Sequence, residues 1–175
     1  MIGLSVIVGT QGRPTLERTL DSIRPQLTDA DELVVVHSHE VAYDPRGGRG
    51  GTEKMEGIRR ATRSHLVFMD DDDVYVPGAL DLMRDAACER PVIFRMDGST
   101  LGLGVLWREP VLRYTNVSTQ MFVVPNQPDK LGVWTPYQTG NGTDFSFLLG
   151  CVAKMGAPVW RDEIVAVLRP NGAAT

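Results

Sequence analysis

Four consecutive aspartates, Asp70-Asp71-Asp72-Asp73, follow directly on the apolar run Leu66-Val67-Phe68-Met69. Adjacent carboxylates repel one another unless positive charge lies among them, and oxygen-only ligands suit a hard divalent cation. A buried strand would deliver them at its carboxyl end, where open α/β sheets bind ligands. The chemistry this suggests is a Mg2+ or Mn2+ site handling a phosphorylated substrate. A second constellation is Arg46-Gly47-Gly48-Arg49-Gly50-Gly51, with Lys54 just beyond. Consecutive glycines let backbone amides approach phosphate oxygens, and Arg46, Arg49 or Lys54 could neutralise a diphosphate. No G-x-x-x-x-G-K-[ST] can be drawn there, and the third glycine of a dinucleotide fingerprint is missing. An EF-hand is excluded, because Tyr75 stands where that loop needs glycine. His37-x-His39 lacks the third and fourth ligands of a zinc site.

Alternating strands and helices must position these groups. Residues 4–8 form a continuous apolar run, as expected of a strand covered on both faces. After a turn at 9–13, Pro14 suits the first helical position, and Leu16, Leu20, Ile23 and Leu27 follow helical spacing until Pro25 ends or bends the helix. Residues 33–36 read as a second buried strand and 37–51 as a loop. Thr52 would cap a second helix with Met55, Ile58 and Thr62 on one face. Residues 65–69 are the third strand, and Pro77 restarts a helix with Leu80, Met83 and Ala87 inward. The result is β-α-β-α-β-α, a parallel sheet with right-handed crossovers. The second half is less regular: strands at 91–96, 105–107, 111–114 and 121–124, some antiparallel, then a helix at 144–155 stopped by Gly156, and a last strand at 164–168.

At 175 residues one domain is expected over 1–170, with 171–175 frayed. A net charge of −4 argues against a protein that coats nucleic acid electrostatically. Cys88 and Cys151 are expected in helices as reduced thiols. There is no membrane-length apolar stretch and no signal-peptide pattern, so the cytoplasm is the expected location.

The order of motifs resembles a known family. Residues 5–23, SVIVGTQGRPTLERTLDSI, look like the opening of family 2 glycosyltransferases of the GT-A fold, with its strand, T-x-N-R-P and helix. Lys54-Met55-Glu56-Gly57-Ile58 followed by Ala61 is similar to that family's R-N-x-G-I-x-x-A segment. Residues 65–80, HLVFMDDDDVYVPGAL, resemble its apolar strand, D-x-D motif and P-x-x-L helix, and Gly142-Thr143-Asp144-Phe145 resembles the segment carrying its E-D pair. The resemblance spans residues 3–169. It implies an α/β fold of GT-A type, a Rossmann-type mostly parallel sheet flanked by helices with a mixed C-terminal half. It also implies a transferase that moves a sugar from a nucleoside diphosphate-sugar, a UDP-sugar first among them, to an acceptor hydroxyl with inversion, using Mn2+ or Mg2+. Asp70 would face the ribose or a metal-bound water and Asp72 would be the direct metal ligand, with Asp71 and Asp73 able to exchange parts with them. Thr10 and Arg13 would line the nucleotide pocket, Lys54 would face the diphosphate, and Asp144 would be the general base.

This chain departs from the family pattern in places. His37-Ser38-His39-Glu40 replaces the acidic segment that helps recognise the base, Gln11 stands where an aromatic residue is common, and Thr143 replaces the Glu of E-D. The acceptor stays open among saccharide, protein, lipid-linked and modified nucleic-acid hydroxyls, with Trp107, Tyr114, Trp134 and Tyr137 in the half where acceptor sites lie. Rival readings are a haloacid dehalogenase-like phosphatase, because Asp70-x-Asp72-x-Val74 matches its nucleophile motif, a sugar nucleotidyltransferase, and a non-catalytic nucleotide-sugar-binding module.

Overall fold

Seven buried residues in a row make β1 (Leu4–Thr10) the kind of strand that needs cover on both faces. The computed structural model describes residues 2–42, 48–135 and 143–170, and of 48 and 49 only the backbone. In it β1 lies between β2 (Glu32–His37) and β3 (His65–Asp70), parallel to both. The helices α1 (Leu16–Ile23) and α2 (Gly48–Arg60) are the crossovers. As Pro25 requires, α1 gives way to a 3-10 turn, Arg24–Gln26. β2 has only Val36 fully buried, because it is the edge of the sheet; the buried strand expected there is half-exposed.

α2 differs more. It begins at Gly48 rather than behind a Thr52 cap, so the end of the glycine-rich stretch is its first turn. Met55 is exposed, Ile58 is half-buried and Thr62 lies past the helix end, so the face that meets β1 is instead Lys54 and Gly57. A Cβ on Gly57 would come within 2.3 Å of Ile7 Cγ2. The glycine therefore permits a helix–strand approach that alanine would forbid. Arg46 lies outside the described residues, and so does Tyr137.

Beyond β3 the acidic run turns into β4 (Val74–Tyr75), and Gly78, at φ +82°, leads into α3 (Ala79–Ala86), which buries Ala79, Leu80 and Met83. α3 is tied to the start of β1 through a buried ion pair: Arg84 reaches Asp31 at 2.5 Å, and Asp31 accepts the Leu4 amide at 2.9 Å. The rest of the sheet comes from β5 (Val92–Asp97), β6 (Val105–Leu106), β7 (Phe122–Pro125) and β8 (Val159–Val167). Its order is β2-β1-β3-β7-β5-β8-β4, with β6 beside β5. β7 inserts antiparallel between β3 and β5, and β8 runs parallel to β5 and antiparallel to β4.

The strand expected at 111–114 does not form. Asn116 donates to the carbonyls of Glu109 and Val111 and accepts from the Arg108 amide, so the backbone there is spent on a turn, and Thr115 takes φ +72°. α4 (Thr143–Met155) ends on Gly156 at φ +94°, the left-handed stop its sequence forecasts. Its core partner is an aromatic nest of Phe68, Phe122, Trp134 and Phe147, where Trp134 stacks on Phe147 at 4.8 Å. Cys151 is buried in α4, whereas Cys88 lies just past α3; both are free thiols. No helix among the described residues is long and apolar enough to cross a membrane.

Candidate functional site at the acidic turn

Strand register explains what surrounds the aspartates. Gly9 lies opposite Asp70 in the β1–β3 ladder, so Thr10 comes level with Asp71. β7 pairs Leu66 with Val124 and Val67 with Val123; carried three residues further, that register sets Gln120 opposite Asp70. β4 pairs Val74 with Val167; two residues further on, Arg169 faces Asp72. The side chains meet accordingly.

Each aspartate has a different environment. Asp70 takes the Lys54 ammonium on Oδ1 at 2.5 Å and the Gln120 amide on Oδ2 at 3.0 Å. Asp71 is buried, accepting the Thr10 hydroxyl at 2.6 Å, the Gln11 amide at 3.1 Å and Arg13 at 3.0 Å. Asp72 receives Arg13 at 2.9 Å and Arg169 at 3.0 Å, both on Oδ2. Asp73 is buried beneath the others, where it accepts the Arg169 backbone amide at 3.0 Å and a bond from Gln120. Burial, then the charge of Asp70, lifts the Asp73 carboxyl to about 8. At neutral pH three charged carboxylates therefore face three cations, Lys54, Arg13 and Arg169. The repulsion that pointed to a metal ion is met largely by the chain itself.

The Asp73 shift has a testable consequence. An acid whose pKa is raised by folding holds its proton more tightly in the folded chain. Its stability contribution is full below the ordinary carboxylate range near pH 4 and is lost as pH rises through about 8. Asp73→Asn, which cannot ionise, is expected to gain in Tm relative to wild type between pH 5 and pH 9, measured in chelator without nucleotide. An equal offset at both pH values would show that Asp73 is not held neutral.

Whether a divalent cation fits can be judged from the oxygens left over. Among the described residues no group of three or more His, Cys, Asp or Glu side chains is arranged to hold a metal. Both Asp70 oxygens are engaged. Asp72 Oδ1, by contrast, carries none of the bonds described here, and Asp72 borders a polar cavity of about 580 Å³ that also takes in Thr10, Arg13, Glu53 and Arg169. One open carboxylate oxygen fits a cation that draws the rest of its shell from water and substrate phosphates, the habit of Mg2+.

Asp144, in the first turn of α4, borders a neighbouring cavity of about 470 Å³ with Arg108, Tyr114 and Ser118. Burial raises its carboxyl pKa; the Phe145 amide, donating at 2.8 Å, opposes this, Asp70 adds to it, and Lys54 and the Ser118 hydroxyl oppose it. The base candidate thus lies within electrostatic reach of Asp70 and Lys54. Of the three described aromatics singled out in the sequence, Tyr114 lines this cavity, and Trp107 and Trp134 are core. Gln120 and Arg169 were not singled out in the sequence, and only the register of β7 and β8 could have revealed them.

No protein-family model matches the chain, and no curated protein matches its sequence. Solved structures do. TarS residues 1–349 of S. aureus in complex with UDP-GlcNAc superpose with a TM-score of 0.68 at 16% identity, covering 95% of this chain and 58% of that one. S. aureus TarS gives 0.67 at 14% identity, covering 95% of this chain and 36% of that one. TarS 1–349 with UDP gives 0.60 at 14% identity, over 95% and 60%. The chain therefore spans between 36% and 60% of the length of these structures. At such identity the likeness speaks for the fold alone: an α/β sheet flanked by helices, of the GT-A-like kind found in these glycosyltransferases.

Proposed function

We propose that this chain is a metal-dependent glycosyltransferase that moves a sugar from a nucleoside diphosphate-sugar, with UDP as the leading nucleotide, to an acceptor hydroxyl with inversion. The observation that carries this reading is the acidic turn itself. It brings Arg13, Arg169 and Asp72 to a single polar cavity, with Lys54 paired to Asp70 on the cavity wall and a desolvated Asp144 nearby. The complexes of the similar TarS structures with UDP-GlcNAc and UDP agree with it.

Thr10, Arg13 and Lys54 would border the nucleotide diphosphate. Asp71 fixes the first two through both its oxygens, so its part is to organise the pocket rather than to touch the donor. Arg13 and Arg169 are held on Asp72 and can turn to phosphate oxygens, for which a guanidinium fork is well shaped. Asp72 would hold Mn2+ or Mg2+, with Asp70 acting through a water, and the cation when bound would offset charge on the departing diphosphate. Lys54 would add to that offset. Asp144 would take the proton of the acceptor hydroxyl as its oxygen attacks the anomeric carbon from the face opposite the diphosphate. A raised carboxyl pKa suits a base working near neutral pH.

The test is a thermal-shift panel of UDP, GDP, CDP and dTDP, each with and without Mn2+. UDP with Mn2+ is expected to raise Tm most, since a ligand at a hundred times its Kd stabilises by about 2.7 kcal/mol. Asp72→Asn should keep its fold and lose the Mn2+-dependent part of that shift. A shift of the same size without the metal would remove the metal assignment, and no shift with any nucleotide would remove the donor reading.

A further inference from the structure

Glu53 is a charged side chain that the proposed chemistry leaves unused. It sits in α2 immediately before Lys54, is only 7% exposed, and borders the polar cavity at the acidic turn. Across the cavity wall its Cβ lies 3.0 Å from where a Cβ on Gly9 would stand, so a glycine in β1 makes room for it. The described cations around the cavity are already committed, Lys54 to Asp70, Arg13 to Asp71 and Asp72, and Arg169 to Asp72. Among the described residues neither a hydrogen bond nor an ion pair reaches the Glu53 carboxylate.

The Glu53 oxygens are not among the buried side-chain atoms that lack a partner, so the carboxylate opens on the cavity, where it can accept from a ligand's donors. Ionised, it can only accept. It therefore repels the diphosphate and has use for N–H or O–H groups alone. In a nucleoside diphosphate-sugar bound at this cavity, such donors are the ribose hydroxyls and base N–H groups of the nucleoside and the hydroxyls of the transferred sugar. The sugar, however, must face Asp144, which lines a separate cavity that Glu53 does not border. None of His37, Ser38, His39 and Glu40 lines this cavity. The geometry points to Glu53 as the nucleoside-reading residue of this site, accepting a pair of hydrogen bonds from ribose hydroxyls or base N–H groups. This rests on the donor reading given above.

The experiment is calorimetric titration, at fixed Mn2+, of wild type, Glu53→Gln and Glu53→Asp with UDP, CDP, GDP, dUDP and inorganic diphosphate. Glu53→Gln keeps the shape and removes a buried charge, so it should fold with an unchanged or higher Tm. Both variants are expected to bind the preferred nucleoside diphosphate at least tenfold more weakly. Inorganic diphosphate, which offers no such donors, should bind as well as before or better to Glu53→Gln. Should dUDP bind wild type as weakly as UDP binds the variant, with no further loss in the variant, the ribose 2′-hydroxyl is the group read. Should dUDP show the full penalty of the substitution, the base is read. Either result supports the inference. Unchanged nucleoside diphosphate affinity in Glu53→Gln would overturn it, as would an equal loss for inorganic diphosphate, while leaving the donor reading standing. Wild type that binds none of the nucleotides would end both.

Discussion

Asp144→Asn is expected to lower sugar transfer by about 10²- to 10⁴-fold, the range in which a positioned general base contributes. The loss should fall on kcat, with UDP–Mn2+ stabilisation kept, because Asp144 borders the cavity next to the donor cavity rather than the donor cavity itself. Stability should not suffer. Oδ1 of an asparagine can still accept the Phe145 amide, and at neutral pH the substitution removes a carboxylate whose charged form burial disfavours. In wild type the active form is the ionised one, so kcat/KM should rise with pH through a midpoint above the ordinary carboxylate range. The variant should lose that limb. A variant that transfers sugar at the wild-type rate would show that another group takes the proton.

The half of the chain that was legible in the sequence is the half where one residue's neighbours are set by short, local patterns. β1, β3 and the helices between them are called for by apolar runs, Pro14, Pro25 and spacing, and they alone bring Thr10, Arg13, Lys54 and Asp70 to one place. What stayed hidden depends on long-range register. Gln120 and Arg169 reach the aspartates only because β7 and β8 enter the sheet antiparallel to β3 and β4, and a list of strands does not say which pair or how they align. The acidic run shows the cost of that gap. Read alone, four adjacent carboxylates call for an external cation; with Arg13, Lys54 and Arg169 beside three of them and Asp73 neutral, they are close to balanced within the protein. Side-chain competition hid the rest. Residues 111–114 have strand composition, but Asn116 captures two of the carbonyls that a sheet neighbour would need. At α2 the glycines up to Gly51 read as a loop, yet the helix begins at Gly48, and helical spacing of Met55 and Ile58 named the wrong face where Gly57 makes the close approach.

Gly132→Ala is expected to be the most destabilising glycine-to-alanine change among the described residues. A Cβ there would lie 1.9 Å from the Phe147 carbonyl oxygen and 2.7 Å from its carbon, and backbone of a buried helix cannot turn aside as a side-chain tip can. Gly150 completes the contact, since a Cβ on it would stand 2.8 Å from the Gly132 Cα. The Gly132 amide also donates to Cys151 Sγ at 3.2 Å, so the segment and α4 are joined by hydrogen bonding as well as by contact. To admit the methyl, residues 131–135 must move off α4, and that movement separates Trp134 from Phe147. Lys54, whose ammonium stands 5.3 Å from the Trp134 ring, would lose its floor at the same time. Overpacking of this kind costs about 3 kcal/mol or more, which for a chain of this size is a fall in Tm of roughly 6–12 °C. Gly102→Ala is the control: it has φ +71° but open space around its Cβ, so only backbone strain of about 1–2 kcal/mol opposes it. The order of the two is the measurement. Thermal melts in which Gly102→Ala falls further than Gly132→Ala would mean that α4 and the 131–135 segment do not touch backbone to backbone, and that the aromatic floor beneath Lys54 is held some other way.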